Sequence, residues 1–267
     1  MKTIRFLLTV SAFYSVASLA SAQNVKLHVN PKWEECSFQL DPSLTQKAWH
    51  QFTQEAGLVA YFRPLTDAKP MGVGHYELSL LQWETKIDGN TEAWNNTFVH
   101  PDSTHWLVEG PRLSFPGLTF RTGITKKMDV GVYWTVRPGA NYGFAGGQVQ
   151  YNIVNDLVKD FAISTRASFV SMYGPKDLGL TVYGLDLLAS KKYAVFSDKT
   201  SISPYAGFST YLSHAHETTT AVNLKDENVA GVRGMIGAVA QISLARLAVE
   251  YNFAKVNSFS FKVGVVF

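Results

Sequence analysis

The chain has 267 residues, of which 46% are hydrophobic and 13% aromatic. Its formal net charge is +3, and it falls to +1 when Lys2 and Arg5 are removed with a signal peptide. A charge this close to zero argues against a nucleic-acid partner, which would need a concentrated basic surface. Cys36 is the single cysteine, so no disulfide can form within the chain.

The first 22 residues have the three parts of a secretory signal. Lys2 and Arg5 precede an uncharged, mostly apolar run over residues 6–19, and Ala20-Ser21-Ala22 provides a small-x-small cleavage site. The run is short for a membrane anchor, since a spanning helix needs about 20 apolar residues. We therefore predict a signal peptide over residues 1–22 and export of the mature chain.

One amphipathic helix is predicted at about residues 42–56, within an N-terminal extension that covers residues 23–71. Pro42 suits the first helical position, and Gly57 suits the exit. Between them, apolar residues recur on one helical face: Leu44, Ala48, Trp49, Phe52 and Ala56. This face needs a partner, which can be the rest of the chain or a membrane surface.

From residue 72 to residue 267 the apolar period is two, which is typical of β-strands. About ten segments alternate in this way, and several have the 9–11 residues that a tilted strand needs to cross a bilayer. The connections tend to alternate between short turns and longer loops, the longest being residues 88–112. The sequence therefore predicts an all-β fold, a transmembrane antiparallel barrel of about 10 strands (8–12) over residues 72–267.

The phase of the charged residues separates this barrel from a soluble β-sandwich, whose strands also alternate. A charge on a lipid-facing position costs about 2–4 kcal/mol at mid-depth. The charged and titratable residues of the strands take the opposite phase, so we predict that they line the lumen: His75, Glu77, Arg121, Arg137, Arg166, Arg233, Glu250 and Lys262. Closure would place the first strand beside the last, which allows Glu77 and Lys262 to pair.

The sequence allows two interpretations of this lumen. The charges can form a packed polar core that fills a narrow barrel, or they can line a narrow pore. In a pore, five cations against two anions would favour anionic solutes.

The final strand, SFSFKVGVVF, carries a resemblance to a known family. Apolar residues occupy every second position back from the C-terminus: Phe259, Phe261, Val263, Val265 and Phe267. With the signal and the alternating segments, this resembles the outer-membrane β-barrel proteins of Gram-negative bacteria, without indicating a subfamily. The resemblance implies an outer-membrane location, contact with its lipid, periplasmic chaperones, and reading of the final strand by the barrel-assembly machinery. The N-terminal extension would then be a plug or a periplasmic cap.

The predicted function is a narrow, porin-like channel or transporter for small solutes. The alternatives are a structural or adhesive surface barrel and an outer-membrane lipid-modifying enzyme. No Walker, dinucleotide or zincin motif is present, and we assign no catalytic residue, cofactor or metal. His214 and His216 suit a polar loop as well as a metal site.

Overall fold

The computed structural model describes residues 37–99, 112–136, 140–195 and 197–267. The predicted signal peptide, Cys36 and Arg137 lie outside these ranges. Within them, no helix is long and apolar enough to span a membrane.

The described residues form two helices and thirteen strands. In chain order these are β1 (Ser37–Phe38), α1 (Gln46–Ala60), β2 (Tyr76–Lys86), α2 (Glu92–Asn95), β3 (Phe98–Val99), β4 (Arg112–Gly123), β5 (Met128–Val136), β6 (Gly143–Asp156), β7 (Phe161–Tyr173), β8 (Leu178–Lys191), β9 (Tyr193–Val195), β10 (Ser197–Glu217), β11 (Glu227–Ile242), β12 (Ala245–Phe253) and β13 (Ser258–Val266).

Ten of these strands close into an antiparallel barrel, in the order β2-β4-β5-β6-β7-β8-β10-β11-β12-β13. The last strand returns to the first, with Val265 opposite Leu78. The amides of Tyr76 and Phe267 exchange hydrogen bonds at 2.8 and 2.9 Å. Closure leaves no exposed strand edge, so a chain that stops on an apolar strand has its backbone satisfied. The predicted ten-stranded antiparallel barrel is confirmed.

Alternate residues of the strands face opposite sides of the wall, as the period of two predicts. The outward side chains are apolar and exposed, for example Leu80 (68%), Val132 (53%) and Phe208 (51%). The inward phase is buried and rich in serine, asparagine, glutamine and charged residues.

The two ends of the barrel differ in their connections. The end that carries β2's first residue and Phe267, together with the connections after β4, β6, β8 and β11, is called the turn end. The opposite end, with the connections after β2, β5, β7, β10 and β12, is called the loop end. Residues 72–75 form a turn into β2 rather than part of the strand, because Gly72 and Gly74 have φ values of +82° and +83°.

Helix α1 lies at the loop end, where it begins after Thr45, whose side chain accepts a hydrogen bond from the amide of Ala48. The helix therefore starts four residues later than position 42 and continues past Gly57. Gly57 lies inside the helix, and a Cβ at this position would come within 2.6 Å of Ser213 on the barrel wall. This glycine allows close approach of helix and wall, and it does not end the helix.

A small structure, called the loop-end cap, covers this end of the barrel. It consists of α1, α2 and the paired strands β1 and β3. Its core is a set of aromatic rings with centroids 4.7–6.4 Å apart: Phe38, Trp49, Phe52, Trp94, Phe98 and Tyr142. The cap lies at the end opposite to the first strand's start.

Candidate functional site

The interior of the barrel is occupied by residues 61–72, here called the lumen segment. This irregular chain leaves α1 at the loop end and reaches β2 at the turn end. Its contacts with the wall are, in chain order, Tyr61 to Asp186, Arg63 to Ser258, Leu65 to Glu250, Asp67 to Arg246, Ala68 to Ser190 and Met71 to Asp129. The segment therefore crosses the whole lumen.

Asp186 on β8 is the centre of a buried ion-pair cluster. Its carboxylate accepts from Arg166 Nε at 2.7 Å and from the hydroxyl of Tyr61 at 2.9 Å, and Arg233 lies 3.6 Å away. The guanidinium of Arg233 also stacks over the Tyr61 ring, 3.8 Å from its centroid.

A second cluster lies nearer the turn end. Lys262 Nζ is 2.5 Å from Glu77 Oε1, so the pair expected from closure of the barrel is present. Arg246 lies between Glu77 (3.6 Å) and Asp67 of the lumen segment (3.0 Å). Glu250 takes part in a different set, accepting from Tyr205 at 2.8 Å. These bonds tie the segment and the wall into shared networks.

Arg63 joins the lumen segment to the end of α1. Its guanidinium donates to the carbonyls of Leu58 and Val59, which lack partners within the helix, and to Ser258 on the wall. It also lies 4.6 Å from the centroid of the Trp83 ring. Its positive charge sits at the negative end of the helix dipole.

Most of the predicted lumen residues are buried inside the barrel. Exposure is at most 4% for Glu77, Arg121, Arg166, Arg233, Glu250 and Lys262. His75 is exposed at the turn end, because it precedes the first residue of β2. The apolar residues of the final strand, Phe259 to Phe267, face outward and are 37–53% exposed.

Sequence reasoning missed Asp129, Asp186 and Arg246 as lumen residues. Asp186 interrupts a strand that is apolar in both phases, so its facing could not be assigned from the pattern. The inward residues Leu178, Leu180 and Val182 are apolar because they belong to the core at the loop end. The polar inward residues of β8, Asp186 and Ser190, therefore occur only on the turn-end side of these three residues.

The two missed carboxylates change the charge of the wall. The described cations are Arg121, Arg166, Arg233, Arg246 and Lys262, and the described anions are Glu77, Asp129, Asp186 and Glu250. These sets nearly cancel. The ratio on which a preference for anionic solutes was based, five cations against two anions, therefore becomes five against four among the described residues.

The described lumen has a small cavity of about 10 Å³, bordered by Phe62, Glu77, Arg121 and Lys262. This volume holds about one water molecule. In this state the barrel is filled rather than open. The described residues contain no cluster of three or more metal-ligating side chains.

Comparisons with known proteins concern the strand arrangement. No family model matches the chain, and no curated protein matches it. Among solved structures it is similar to an outer membrane channel of Pseudomonas putida F1, with 11% identity, 78% of this chain and 100% of the other covered, and a TM-score of 0.42. It is also similar to the β domain of the Bordetella autotransporter BrkA (12% identity, 73% and 100% covered, TM-score 0.40) and to LpxR from Salmonella typhimurium (10%, 70% and 99%, 0.36).

The chain folds into a closed ten-stranded antiparallel barrel with an outward apolar face and a polar interior, as the resemblance drawn from its sequence predicts. The similar structures include a channel, an autotransporter domain and LpxR, and their names assign no activity to this chain.

Proposed function

We propose that this protein is an outer-membrane barrel closed by its own lumen segment, and that it passes small solutes when the segment withdraws. The proposal includes a cleaved signal peptide, periplasmic chaperones, and insertion by the barrel-assembly machinery. The outward apolar face of the strands supports the membrane location, because such a surface is costly in water and favourable in lipid. The outward row that ends at Phe267 matches the pattern expected of the insertion signal.

The polar wall behind the lumen segment carries the channel proposal. Burying charges in a permanently filled core is costly, and replacing such pairs by packed apolar residues is often neutral or stabilising. A wall whose described residues include four carboxylates and five cations is suited to a lumen that is at times aqueous. The small cavity supports a closed ground state.

Conductance through planar bilayers tests this gating directly. Substitutions Ala68→Cys and Ser190→Cys, in a Cys36→Ser background, would tie the segment to the wall at a point where the Ala68 amide lies 3.0 Å from Ser190 Oγ. We expect voltage-driven conductance in the reduced protein and none in the oxidised protein. A truncation that starts at Gly72 should conduct steadily.

Insertion is checked in each case by heat-dependent gel mobility. If the inserted truncation and the inserted, reduced double-cysteine protein both fail to conduct, the channel proposal is wrong.

A surface-presenting barrel is the second candidate, and the loop-end cap favours it. The cap has its own aromatic core and would face the outside of the cell, since short turns face the periplasm in such barrels. Deleting residues 89–112 should abolish cell-surface binding in this case, while insertion is retained. No observation on the described residues favours the third alternative, an outer-membrane lipid-modifying enzyme.

A further inference from the structure

Two turns and the end of a strand at the turn end carry a group of lysines, here called the lysine patch: Lys126, Lys127, Lys159, Lys191 and Lys192. The turns follow β4 and β6, and Lys191 and Lys192 lie at the end of β8. Backbone hydrogen bonds join them to their neighbours, from the amide of Asn152 to the carbonyl of Lys127 (2.7 Å) and from the amide of Lys192 to the carbonyl of Asp160 (2.9 Å). The patch is therefore one continuous surface.

The described carboxylates near the patch are Asp129, Asp156 and Asp160. Asp156 accepts from the backbone amides of Val158 and Lys159, both at 3.0 Å. Asp160 pairs with Lys69 at 2.6 Å, and Asp129 is buried against Arg121. The five lysines outnumber Asp156 and Asp160, the two of these carboxylates that are not buried, so the described residues on this side of the barrel carry a net positive charge. The turn after β11 is different, since it consists of Ser243 and Leu244.

The outward apolar face extends to the level of the patch. Along β6 and its turn, Tyr151 and Ile153 are followed by Leu157 and Val158, which are 75% and 93% exposed. Tyr193 is half exposed, and Lys191 Nζ lies 5.3 Å from the centroid of its ring. Tyrosine and lysine beside an apolar band are typical of the boundary between hydrocarbon and headgroups.

We propose that the lysine patch binds the anionic headgroups of phospholipids in the leaflet at the turn end. This inference rests on the membrane location proposed above. A lysine ammonium near an anionic lipid surface is attracted to the phosphate charge, and the apolar side chains beside it place it at headgroup depth. Phosphatidylglycerol carries a net negative charge and phosphatidylcholine carries none, so the patch should distinguish them.

The test measures which lipid lies next to the patch. The full mature chain with Tyr193→Trp is refolded into phosphatidylcholine vesicles that contain either brominated phosphatidylglycerol or brominated phosphatidylcholine, and quenching of the added tryptophan is recorded. We expect a preference for phosphatidylglycerol of about fivefold, the effect of about one favourable lysine contact. High salt should reduce this preference, because it screens exposed charges.

Matched variants localise the effect. Glutamine at Lys126, Lys127, Lys159, Lys191 and Lys192 should lower the preference to about one. Glutamine at five exposed loop-end lysines should leave it unchanged: Lys47, Lys86, Lys176, Lys225 and Lys255.

Two results would overturn the lipid site alone: an inserted protein without a preference, or a preference that survives the patch substitutions. Failure to insert, seen as absent heat-dependent gel mobility, would overturn the membrane location together with the lipid site.

Discussion

The two halves of the barrel interior are held together by different forces. At the loop end, α1 and its aromatic neighbours pack against inward apolar residues such as Leu180 and Val182. Toward the turn end, the irregular lumen segment is held by hydrogen bonds and ion pairs to Asp186, Glu250 and Arg246. Apolar packing gains free energy by excluding water, whereas polar contacts can be exchanged for water at a modest net cost. The polar half is therefore the part suited to release, and the cap is suited to remain folded.

The largest expected effect is in the polar half. Asp186→Ala leaves Arg166 and Arg233 buried without their carboxylate, so we expect a loss of about 5 kcal/mol, near the upper end for breaking a buried pair. Urea unfolding in detergent micelles, followed by heat-dependent gel mobility, measures it. Asp186→Asn keeps an acceptor for Tyr61 and should lose less. Equal losses for the two variants would contradict the role assigned to the charge.

Phe52→Ala tests the apolar half. Phe52 is fully buried and stacks on Trp49 at 5.4 Å. Removing its ring should destabilise the cap by about 3 kcal/mol, the lower end for such substitutions, because a cap at the barrel end can partly relax. Protease cleavage within α1 should increase while the barrel stays intact. Lys47→Ala, an exposed change on the same helix, is the control, and loss of the whole barrel with the cap would show that the halves are not separable.

A smaller effect is expected at the start of α1. Thr45→Ala removes the hydroxyl that accepts from the Ala48 amide, and such caps contribute about 1 kcal/mol. Hydrogen exchange of the first-turn amides should become faster. Thr45→Ser restores the acceptor and should restore the slower exchange; a serine variant as fast as the alanine variant would contradict the assignment.

The smallest effect concerns the tether between Lys69 and Asp160 at the turn end. The hydrogen bond and charge of Lys69 hold the pKa of Asp160 below its ordinary range. A lowered pKa means that the tether stabilises the fold at neutral pH and that this contribution is lost as the pH falls through the folded-state pKa. The effect is small, because the pair is exposed to solvent.

Unfolding of the native protein and of Asp160→Asn, compared between neutral and acidic pH, measures this tether. The two curves should converge at low pH. Curves that stay parallel over the whole pH range would show that the pair of Lys69 and Asp160 does not contribute to stability.

Sequence reasoning was strongest where a strand borders lipid on one side and a polar interior on the other. There the period of two identifies both faces, so the phase of Glu77, Arg166 and Lys262 in the sequence predicts that they face the lumen. It failed where both faces of a strand are apolar, as in β8, and Asp186 was missed for that reason. It also took Gly57 as a helix end, because a glycine that allows close packing and one that ends a helix look the same in a sequence.

The sequence by itself determined the barrel, since alternation, strand length and the closing strand are local patterns that a bilayer and a polar lumen impose on each strand separately. Only the tertiary structure decided how the lumen is filled. The path of residues 61–72 depends on contacts with residues far along the chain, such as Tyr61 with Asp186 and Leu65 with Glu250. Those contacts leave no periodic pattern, because an irregular segment takes each partner from a different strand.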